Sequence, residues 1–266
     1  MIPELKIIQN VAKKYSLSEP RIVGGIPRDY LLHGKKFGFH DIDITTNSED
    51  ILRLAVLSSK ELNSGVKIFS DGHATIFHKD FSFDFSSRFI SESAKKYMVD
   101  KFGEINDALI ESYSRDFTIN SLESNFSLSE IYDPTGMGRG DIEGRIIRPI
   151  TTAEICLTDD PRRVYRAVKM GSKYSLDMDG SIAEFAKRSY KLFSPVYNQE
   201  VKSQYITTAI NIAIESDGRR TFDNLYQLRL LSAVPLSGGF KDWIIENRML
   251  DLYFKSIDIE HAESNS

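Results

Sequence analysis

Apolar and polar positions alternate with a period of two in several short runs before residue 133. The runs RIVGG, DIDIT, GHATIFH and FSFDF each place apolar side chains on one face, which is typical of half-buried strands. Helical spacing occurs between them, near residues 48–60 and 91–102. The first half of the chain is therefore predicted to be α+β, with a mixed sheet and helices.

The apolar spacing changes to three and four after the turn-rich segment IYDPTGMGRGDIEGR. Val164 and Val168 share one face of a predicted helix, and Ile206, Ile210 and Ile214 share a face of another. The second half is therefore predicted to be all helix.

One helix of the second half has a recognisable start, in TDDPRRVYRAVKM. Thr158 or Asp159 is predicted as its N-cap, with Pro161 inside the first turn. Residues 256–266 carry no periodic apolar stripe, and we expect them to fray.

The composition is that of an ordinary globular protein, because 41% of the 266 residues are hydrophobic and 27% are charged. The single cysteine, Cys156, excludes an intramolecular disulfide and a multi-cysteine zinc site. The sequence contains no stretch long and apolar enough to span a bilayer and no cleavage signal at its start. We expect a cytoplasmic location without a membrane partner.

The formal charge of −4 argues against indiscriminate binding to polyanions, so any nucleic acid must be held by a local basic surface. Residues 139–169 are a candidate, with seven Lys and Arg against five acids. A solvated helical face is the alternative interpretation of this segment.

A glycine pair, Gly24 and Gly25, ends an apolar strand and precedes a helix predicted from Arg28. Backbone N–H groups at such a turn can approach a triphosphate, and Arg28 can add a bidentate phosphate contact. An ordinary structural turn is the alternative.

Asp41 and Asp43 alternate with Ile42 and Ile44, so the two carboxylates are predicted to share one strand face while the isoleucines enter a core. Asp84 in FSFDF is predicted to lie opposite the phenylalanines of its strand and to supply a third acid. Such a set can hold two Mg²⁺ ions for nucleotidyl transfer. Placement on an exposed edge strand is the alternative.

Two further motifs carry charge in a regular arrangement. Arg115 and Asp116 are candidates to hold a triphosphate and ribose hydroxyls, with a surface salt bridge as the alternative. The second motif places a charged residue at every third position: Asp160, Arg163, Arg166 and Lys169. A solvated ion-pair face is its alternative interpretation.

An Asp and an Arg fixed on one helix can read a base edge. The carboxylate accepts from an exocyclic amino group, and the guanidinium donates to a ring nitrogen or carbonyl. Cytosine and adenine present that pattern, whereas guanine and uracil present a carbonyl in place of the amino group. Such a pocket accepts CTP and ATP and rejects GTP and UTP.

In order along the chain, the motifs GGIPRD, DIDITT, FDFSSR, SRDFTIN, IYDPTGMGRGDIEGRIIR and DDPRRVYRAVKM resemble those of the class II, bacterial-type tRNA nucleotidyltransferase and poly(A) polymerase family. The resemblance implies a polymerase-β-like head over residues 1–134, then an all-α neck over 135–195 and a helical, RNA-binding body over 196–266. The family's helical tail is expected to be absent or truncated, because the chain stops at residue 266.

The resemblance also implies site residues. By the resemblance, Asp41 and Asp43 bind the metal. Asp84 occupies the position of the family's third acid, which is usually Glu. Nucleotide binding falls to eight residues: Gly25, Arg28, Arg115, Asp116, Asp160, Arg163, Arg166 and Lys169. Asp160 and Arg163 match the pair that acts as a protein template for the incoming base. Arg88, at the end of FDFSSR, is expected near the acids.

The chain departs from the family pattern at other positions besides Asp84. Ser114 stands where the family commonly has an arginine. Lys169 also replaces the usual arginine, so the charge is kept but the planar guanidinium with its paired donors is lost. Asp159 replaces a glutamate, and Pro27 stands where an aliphatic residue is usual, which removes one backbone N–H from the phosphate loop.

The implied activity is addition of C and A nucleotides from CTP and ATP to the 3′ end of tRNA or a tRNA-like RNA, with two Mg²⁺ ions and no nucleic-acid template. No obligate protein partner is expected. The segment SDGHATIFHKDFSFDFSSRF is more similar to CCA-adding enzymes than to poly(A) polymerases. The alternatives are an enzyme that adds only A, only part of CCA, or poly(A); an inactive RNA-binding relative; and a transferase acting on small molecules or proteins.

Overall fold

A mixed β-sheet organises the first half of the chain. The computed structural model describes residues 2–34, 38–70, 72–86, 90–103 and 105–264, so Arg88 lies outside the described residues. Contacts divide the chain into two units, Met1–Glu143 and Gly144–Ser266.

Within the described residues, the first unit contains seven strands: β1 Arg21–Val23, β2 Asp41–Thr45, β3 Val66–Ile68, β4 Ala74–His78, β5 Phe81–Phe85, β6 Glu123–Ser124 and β7 Ile131–Tyr132. They form one sheet in the order β3-β4-β5-β2-β1-β6-β7. The central pair, β2 and β5, is parallel, and the other neighbours are antiparallel.

The helices of the first unit are α1 Pro3–Lys14, α2 Gly25–His33, α3 Ile51–Glu61, α4 Glu92–Phe102, α5 Asp107–Tyr113 and α6 Gly138–Glu143, with a short 3₁₀ turn at Thr118–Asn120. Helices α1 and α3 supply apolar side chains to a core that includes Ile42, Ile44, Phe83 and Phe85, each fully buried. The period-two alternation in β2 and β5 therefore predicted the core face correctly, as did the mixture of strands and helices.

Helix α2 begins at Gly25, three residues before the predicted start at Arg28. The first four N–H groups of a helix have no partner within it. Pro27 is the third helical residue, so its missing N–H breaks no helical hydrogen bond. This position explains why the helix tolerates a proline there.

The second unit is mainly helical, and its helices are α7 Ala153–Asp159, α8 Arg163–Tyr174, α9 Gly180–Arg188, α10 Tyr190–Phe193, α11 Ser203–Leu228, α12 Gly238–Glu246 and α13 Leu250–Ser264, with a 3₁₀ turn at Leu231–Ala233. Helices α8 and α11 pack together, and α12 also contacts α11. The last helix continues into the segment that the sequence predicts to fray.

The expectation of an all-helical second half is wrong in one detail. Strands β8 Ile146–Ile147 and β9 Asp177–Met178 form a small parallel pair. Backbone bonds from Asp177 N to Arg145 O at 2.8 Å and from Asp179 N to Ile147 O at 2.9 Å extend it. Strands of two residues are too short to display a period of two, so the alternation could not reveal them.

The predicted start of the helix at Thr158 or Asp159 is also wrong. These residues form the last turn of α7, and α8 begins only at Arg163. Asp160 between them is extended, with φ −147° and ψ 96°, because it precedes Pro161 and that neighbour disfavours helical geometry.

Helix α11 is interrupted at Asp217, which has φ −158° and ψ 94°. Its Oδ1 accepts from Arg220 N at 2.9 Å and so begins the second segment of the helix. A Cβ on Gly218 would come within 2.1 Å of Trp243 Nε1, so the absence of a side chain there allows α12 to pack closely.

In the described part of the chain, no helix combines the length and the apolar composition that crossing a bilayer requires.

Candidate active site

Three carboxylates lie on one face of the sheet, opposite the apolar core. The parallel register pairs Asp41 with Ser82 and Asp43 with Asp84. Paired residues on neighbouring strands point to the same face, and so do residues two apart on one strand. The structure therefore brings Asp41, Asp43 and Asp84 to one surface, as the sequence predicted.

Two hydroxyl groups hold the outer carboxylates of this set. Ser82 Oγ donates to Asp41 Oδ1 at 2.7 Å, and Thr75 Oγ1 donates to Asp84 Oδ1. Asp41 is exposed, whereas Asp43 and Asp84 are half-buried. The hydroxyls fix the orientation of two acids that would otherwise rotate freely at the surface.

The glycine turn between β1 and α2 lies against the central acid. Gly24 has φ +77°, in the left-handed region that favours glycine. A Cβ there would come within 2.5 Å of Asp43 Oδ2. Glycine is therefore required at this position both by the backbone conformation and by the approach of the carboxylate.

Arg28 is buried under the start of α2, where it joins a polar network. Its Nε donates to Asp29 Oδ1 at 2.7 Å, and its Nη1 donates to Asn120 Oδ1 at 2.6 Å. Asn120 Nδ2 donates in turn to Asp116 Oδ1 at 2.8 Å. A Cβ on Gly25 would lie 3.3 Å from Arg28 Nη2, so this arginine and the glycine turn are in direct contact.

Arg115 links the acids to a buried glutamate. Its Nη2 donates to Glu111, and its Nη1 lies 3.8 Å from Asp43 Oδ2. Thr45 Oγ1 donates to the same glutamate at 2.9 Å. Burial alone would lower the pKa of Arg115, but Glu111 and Asp43 outweigh it and raise that pKa above its ordinary value. The guanidinium is therefore permanently charged beside the acids.

The electrostatics around Asp43 favour a bound cation. Burial raises the pKa of Asp43 above its ordinary value, and the carboxylates of Asp84, Glu111 and Asp41 act in the same direction. Arg115 opposes them. The site therefore holds more negative charge than its one arginine compensates.

Asp41 and Asp43 have the chemistry of divalent-cation ligands, but they do not form a closed coordination cage. Among the described residues, no three His, Cys, Asp or Glu side chains are placed together as metal ligands. Magnesium is usually held by one or two carboxylates together with substrate phosphates and water. Asp41 and Asp43 suit that mode, because they offer carboxylate oxygens on one exposed face.

The predicted base-reading residues lie at the start of α8 in the second unit. Asp160 precedes the helix, and its carboxylate accepts from Arg162 Nε at 2.7 Å and lies 3.7 Å from Arg166 Nη2. Arg163 Nη1 donates instead to the carbonyl oxygen of Cys156 at 3.0 Å. The structure therefore directs the side chains of the predicted pair to different partners.

Helix α8 otherwise has the predicted faces. Val164 and Val168 are fully buried, whereas Arg163, Arg166 and Lys169 are half-buried. The buried Nε of Arg163 finds no hydrogen-bond partner among the described residues. Its hydrogen-bonding capacity is therefore not used by the described residues.

The sequence analysis missed several residues that shape the site: Gly24 as a contact of Asp43, Thr75, Ser82, Glu111, Asn120 and Arg162. Three of these residues have partners close in sequence: Glu111 is four from Arg115, Asn120 four from Asp116, and Arg162 two from Asp160. The contacts of Gly24, Thr75 and Ser82 with the acids depend instead on the pairing of strands, which no local pattern indicates.

Comparison with known proteins gives a match over residues 20–148 to the family described as the poly A polymerase head domain. The CCA-adding enzyme of Lactobacillus delbrueckii subsp. bulgaricus is 25% identical over 230 residues, which cover 84% of this chain and 54% of that protein. Poly(A) polymerase I of Salmonella typhimurium is 26% identical over 239 residues, which cover 86% of this chain and 49% of that protein. The chain thus spans about half the length of these relatives.

The fold has solved counterparts as well. The Thermotoga maritima CCA-adding enzyme complexed with tRNA superimposes with a TM-score of 0.66 at 20% identity, covering 88% of this chain and 53% of that one. At this identity the likeness establishes the fold, including the polymerase-β-like head. Over most of its length the chain is similar to CCA-adding enzymes and poly(A) polymerases, and residues 20–148 match the poly A polymerase head domain.

Proposed function

We propose that the chain is a nucleotidyltransferase that adds C and A from CTP and ATP to the 3′ end of tRNA or a tRNA-like RNA, without a nucleic-acid template. One observation carries the proposal: Asp41, Asp43 and Asp84 share a sheet face beside the Gly24 turn and Arg115. Acids arranged beside a phosphate-accessible turn are what transfer of a nucleotide from its triphosphate needs.

Asp41 and Asp43 would hold Mg²⁺, with Asp84 as the third acid. Two bound Mg²⁺ ions would lower the pKa of the attacking 3′ hydroxyl and stabilise the leaving pyrophosphate. The hydroxyls of Ser82 and Thr75 each hold one oxygen of an outer carboxylate. Asp43, between them, lies against the Gly24 turn, where an added Cβ would come within 2.5 Å of its Oδ2.

The triphosphate would bind at the start of α2, where the N–H groups of the first turn are unpaired within the helix and a positive dipole end favours anions. Gly25 allows the close approach, and Arg28 adds charge beneath it. Arg115 and Asp116 would hold the triphosphate and the ribose hydroxyls. Asn120 connects Arg28 to Asp116, so these two groups are positioned by one network.

Base selection would fall to Asp160 and Arg163, with Arg166 and Lys169 as further cationic contacts. Asp160 would accept from the exocyclic amino group of cytosine or adenine, and Arg163 would donate to the neighbouring ring nitrogen or carbonyl. The unpartnered Nε of Arg163 supports this role. For the base to bind, the hydrogen bonds of Arg162 to Asp160 and of Arg163 to the Cys156 carbonyl would have to break.

The proposal assigns residues 1–134 to the head, 135–195 to a neck that carries the base-reading residues, and 196–266 to an RNA-binding body. It requires no obligate protein partner, and it places the activity in the cytoplasm.

Addition of A alone, of part of CCA or of poly(A) is the second candidate. It is supported by the nearly equal identity to a CCA-adding enzyme, 25%, and to a poly(A) polymerase, 26%.

Incorporation assays test the proposal. Purified protein is incubated with Mg²⁺, each labelled nucleoside triphosphate separately, and tRNA that ends before CCA, after C or after CC, and the product ends are sequenced. Ordered addition of C, C and A is expected. Long A tails on unrelated RNA would favour the second candidate, and equal use of UTP or GTP would contradict the base-reading role of Asp160 and Arg163.

A further inference from the structure

A basic cavity lies in the second unit, and none of the roles proposed above uses it. Its volume is about 610 Å³, and it is lined by residues from α7, α9, α10 and the end of α11. The charged residues that line it are Lys187, Arg188, Lys191, Arg229 and Glu154. Four positive side chains therefore face one negative side chain, in a protein whose formal net charge is −4.

Aromatic rings accompany these cations. Arg188 lies over the ring of Phe185 at 5.2 Å and pairs with Glu154 at 3.3 Å. Lys191 lies over the ring of Tyr197 at 5.8 Å. Both arrangements hold a long cationic side chain beside an aromatic face.

Tyr197 is also placed to meet a ligand. Its side chain is 58% exposed, although its ring packs edge-on against Tyr190 at 6.1 Å. Tyr190 is anchored through a 2.8 Å hydrogen bond between its hydroxyl and Ser232 Oγ. This exposed ring contacts two residues that line the cavity, Tyr190 and Lys191, so it can stack on a base while the cations of the cavity meet phosphates.

We propose that this cavity binds the phosphodiester backbone of the acceptor RNA, with Tyr197 stacked on one of its bases. The inference rests on the proposed function, because it is the acceptor that must be held. The cations on α9 and α10 are exposed, long side chains, which suit successive phosphates of a polyanion better than one enclosed small ligand. A concentrated basic surface also explains how an acidic protein can hold RNA.

Charge reversal tests the proposal. The double variant Lys187→Glu/Lys191→Glu is compared with the wild type and with Lys241→Glu/Lys255→Glu, which reverses two exposed lysines of the same unit outside the cavity. Binding of tRNA lacking CCA is measured by fluorescence anisotropy at several salt concentrations. The cavity variant is expected to bind about tenfold more weakly at 0.1 M salt and to lower the slope of log Kd against log salt by about 1 to 2. Thermal unfolding checks that each variant is folded.

Tyr197→Ala, which keeps every charge, is expected to weaken binding with little change in that slope. Equal RNA affinity for the cavity variant, the control variant and the wild type would overturn the proposal. So would wild-type binding of polyglutamate as tight as that of RNA, which would assign the cavity to acidic proteins.

The same preparations separate this inference from the proposed function. Wild-type protein that binds tRNA through the cavity but incorporates no nucleotide would refute the proposed function alone. Wild-type protein that incorporates C and A, with a cavity variant that binds RNA normally, would refute the inference alone.

Discussion

Gly24 and Asp43 approach each other so closely that a single methyl group on the glycine would lie 2.5 Å from the carboxylate Oδ2. The glycine turn and the acid-bearing strand β2 are thus fitted to each other. The backbone of Gly24 adds a second constraint, because its φ of +77° is rarely adopted by other residues.

We expect Gly24→Ala to destabilise the protein by more than the ~1–2 kcal/mol that left-handed backbone geometry costs, because the carboxylate must also move. Nucleotide incorporation should also fall, because the displaced carboxylate is that of Asp43. Gly34→Ala is the matched control, since Gly34 has φ +66° and nothing within 4 Å of an added Cβ. Equal losses of unfolding free energy in urea for the two variants would show that the contact with Asp43 is unimportant.

Asp41→Ala should abolish nucleotide addition while leaving the fold intact. Loss of a metal ligand is expected to lower the rate by about 10³-fold, equivalent to about 4 kcal/mol in the barrier. The fold should survive because Asp41 is exposed. Asp80→Ala, an exposed acid in the same unit, provides the control in single-turnover assays. Retained activity in Asp41→Ala would refute the metal assignment.

Asp43→Asn should stabilise the metal-free protein at pH 7. The pKa of Asp43 is raised in the folded state, so ionisation costs folding free energy at pH values above it. The higher stability of the variant should disappear below about pH 4, where the wild-type carboxyl is protonated in folded and unfolded chains alike. Thermal unfolding of the metal-free protein between pH 3 and pH 8 measures this difference in stability. A variant less stable than wild type throughout would contradict the prediction.

Glu111→Ala should destabilise the protein by about 3–5 kcal/mol, because Glu111 is buried and its loss leaves the half-buried Arg115 guanidinium without its main partner. Glu111→Gln keeps an oxygen that can accept from Arg115 or Thr45 and should cost about 2 kcal/mol or less. Chemical denaturation compares the two. Similar losses in both variants would mean that the charge of Glu111 does not hold Arg115.

Asp160→Ala and Arg163→Ala should each relax nucleotide choice. A bidentate base contact contributes about 1–3 kcal/mol of discrimination, so the preference for CTP and ATP over UTP and GTP should fall by about 5- to 150-fold. Lys173→Ala, an exposed cation near the end of the same helix, is the control. Competition assays with mixed nucleotides give the ratio, and an unchanged ratio would remove these residues from base selection.

Much of the head was predictable because its signals are local. Asp41 and Asp43 alternate with isoleucines, and the alternation alone gives both the core face and the polar face. Asp84 follows from the same reasoning applied to FSFDF.

The errors and omissions have physical causes. Asp159 and Asp160 resemble N-caps, but Asp160 precedes Pro161 and is extended, so it separates two helices instead of starting one at Thr158 or Asp159. Glu111, although four residues from Arg115, gains its second partner, Thr45, from a distant strand. Contacts of this kind depend on the completed fold and leave no local pattern in the sequence.

The parallel pairing of β2 with β5 also sets when the acids can meet. Asp43 and Asp84 are 41 residues apart, and neither turn geometry nor a hairpin can bring parallel neighbours together. Contacts between residues so distant in sequence form slowly, because loop closure must be completed first. Until β2 pairs with β5, Asp84 is separated from the other two acids, so the concentrated negative charge exists only once the two halves of the sheet have joined.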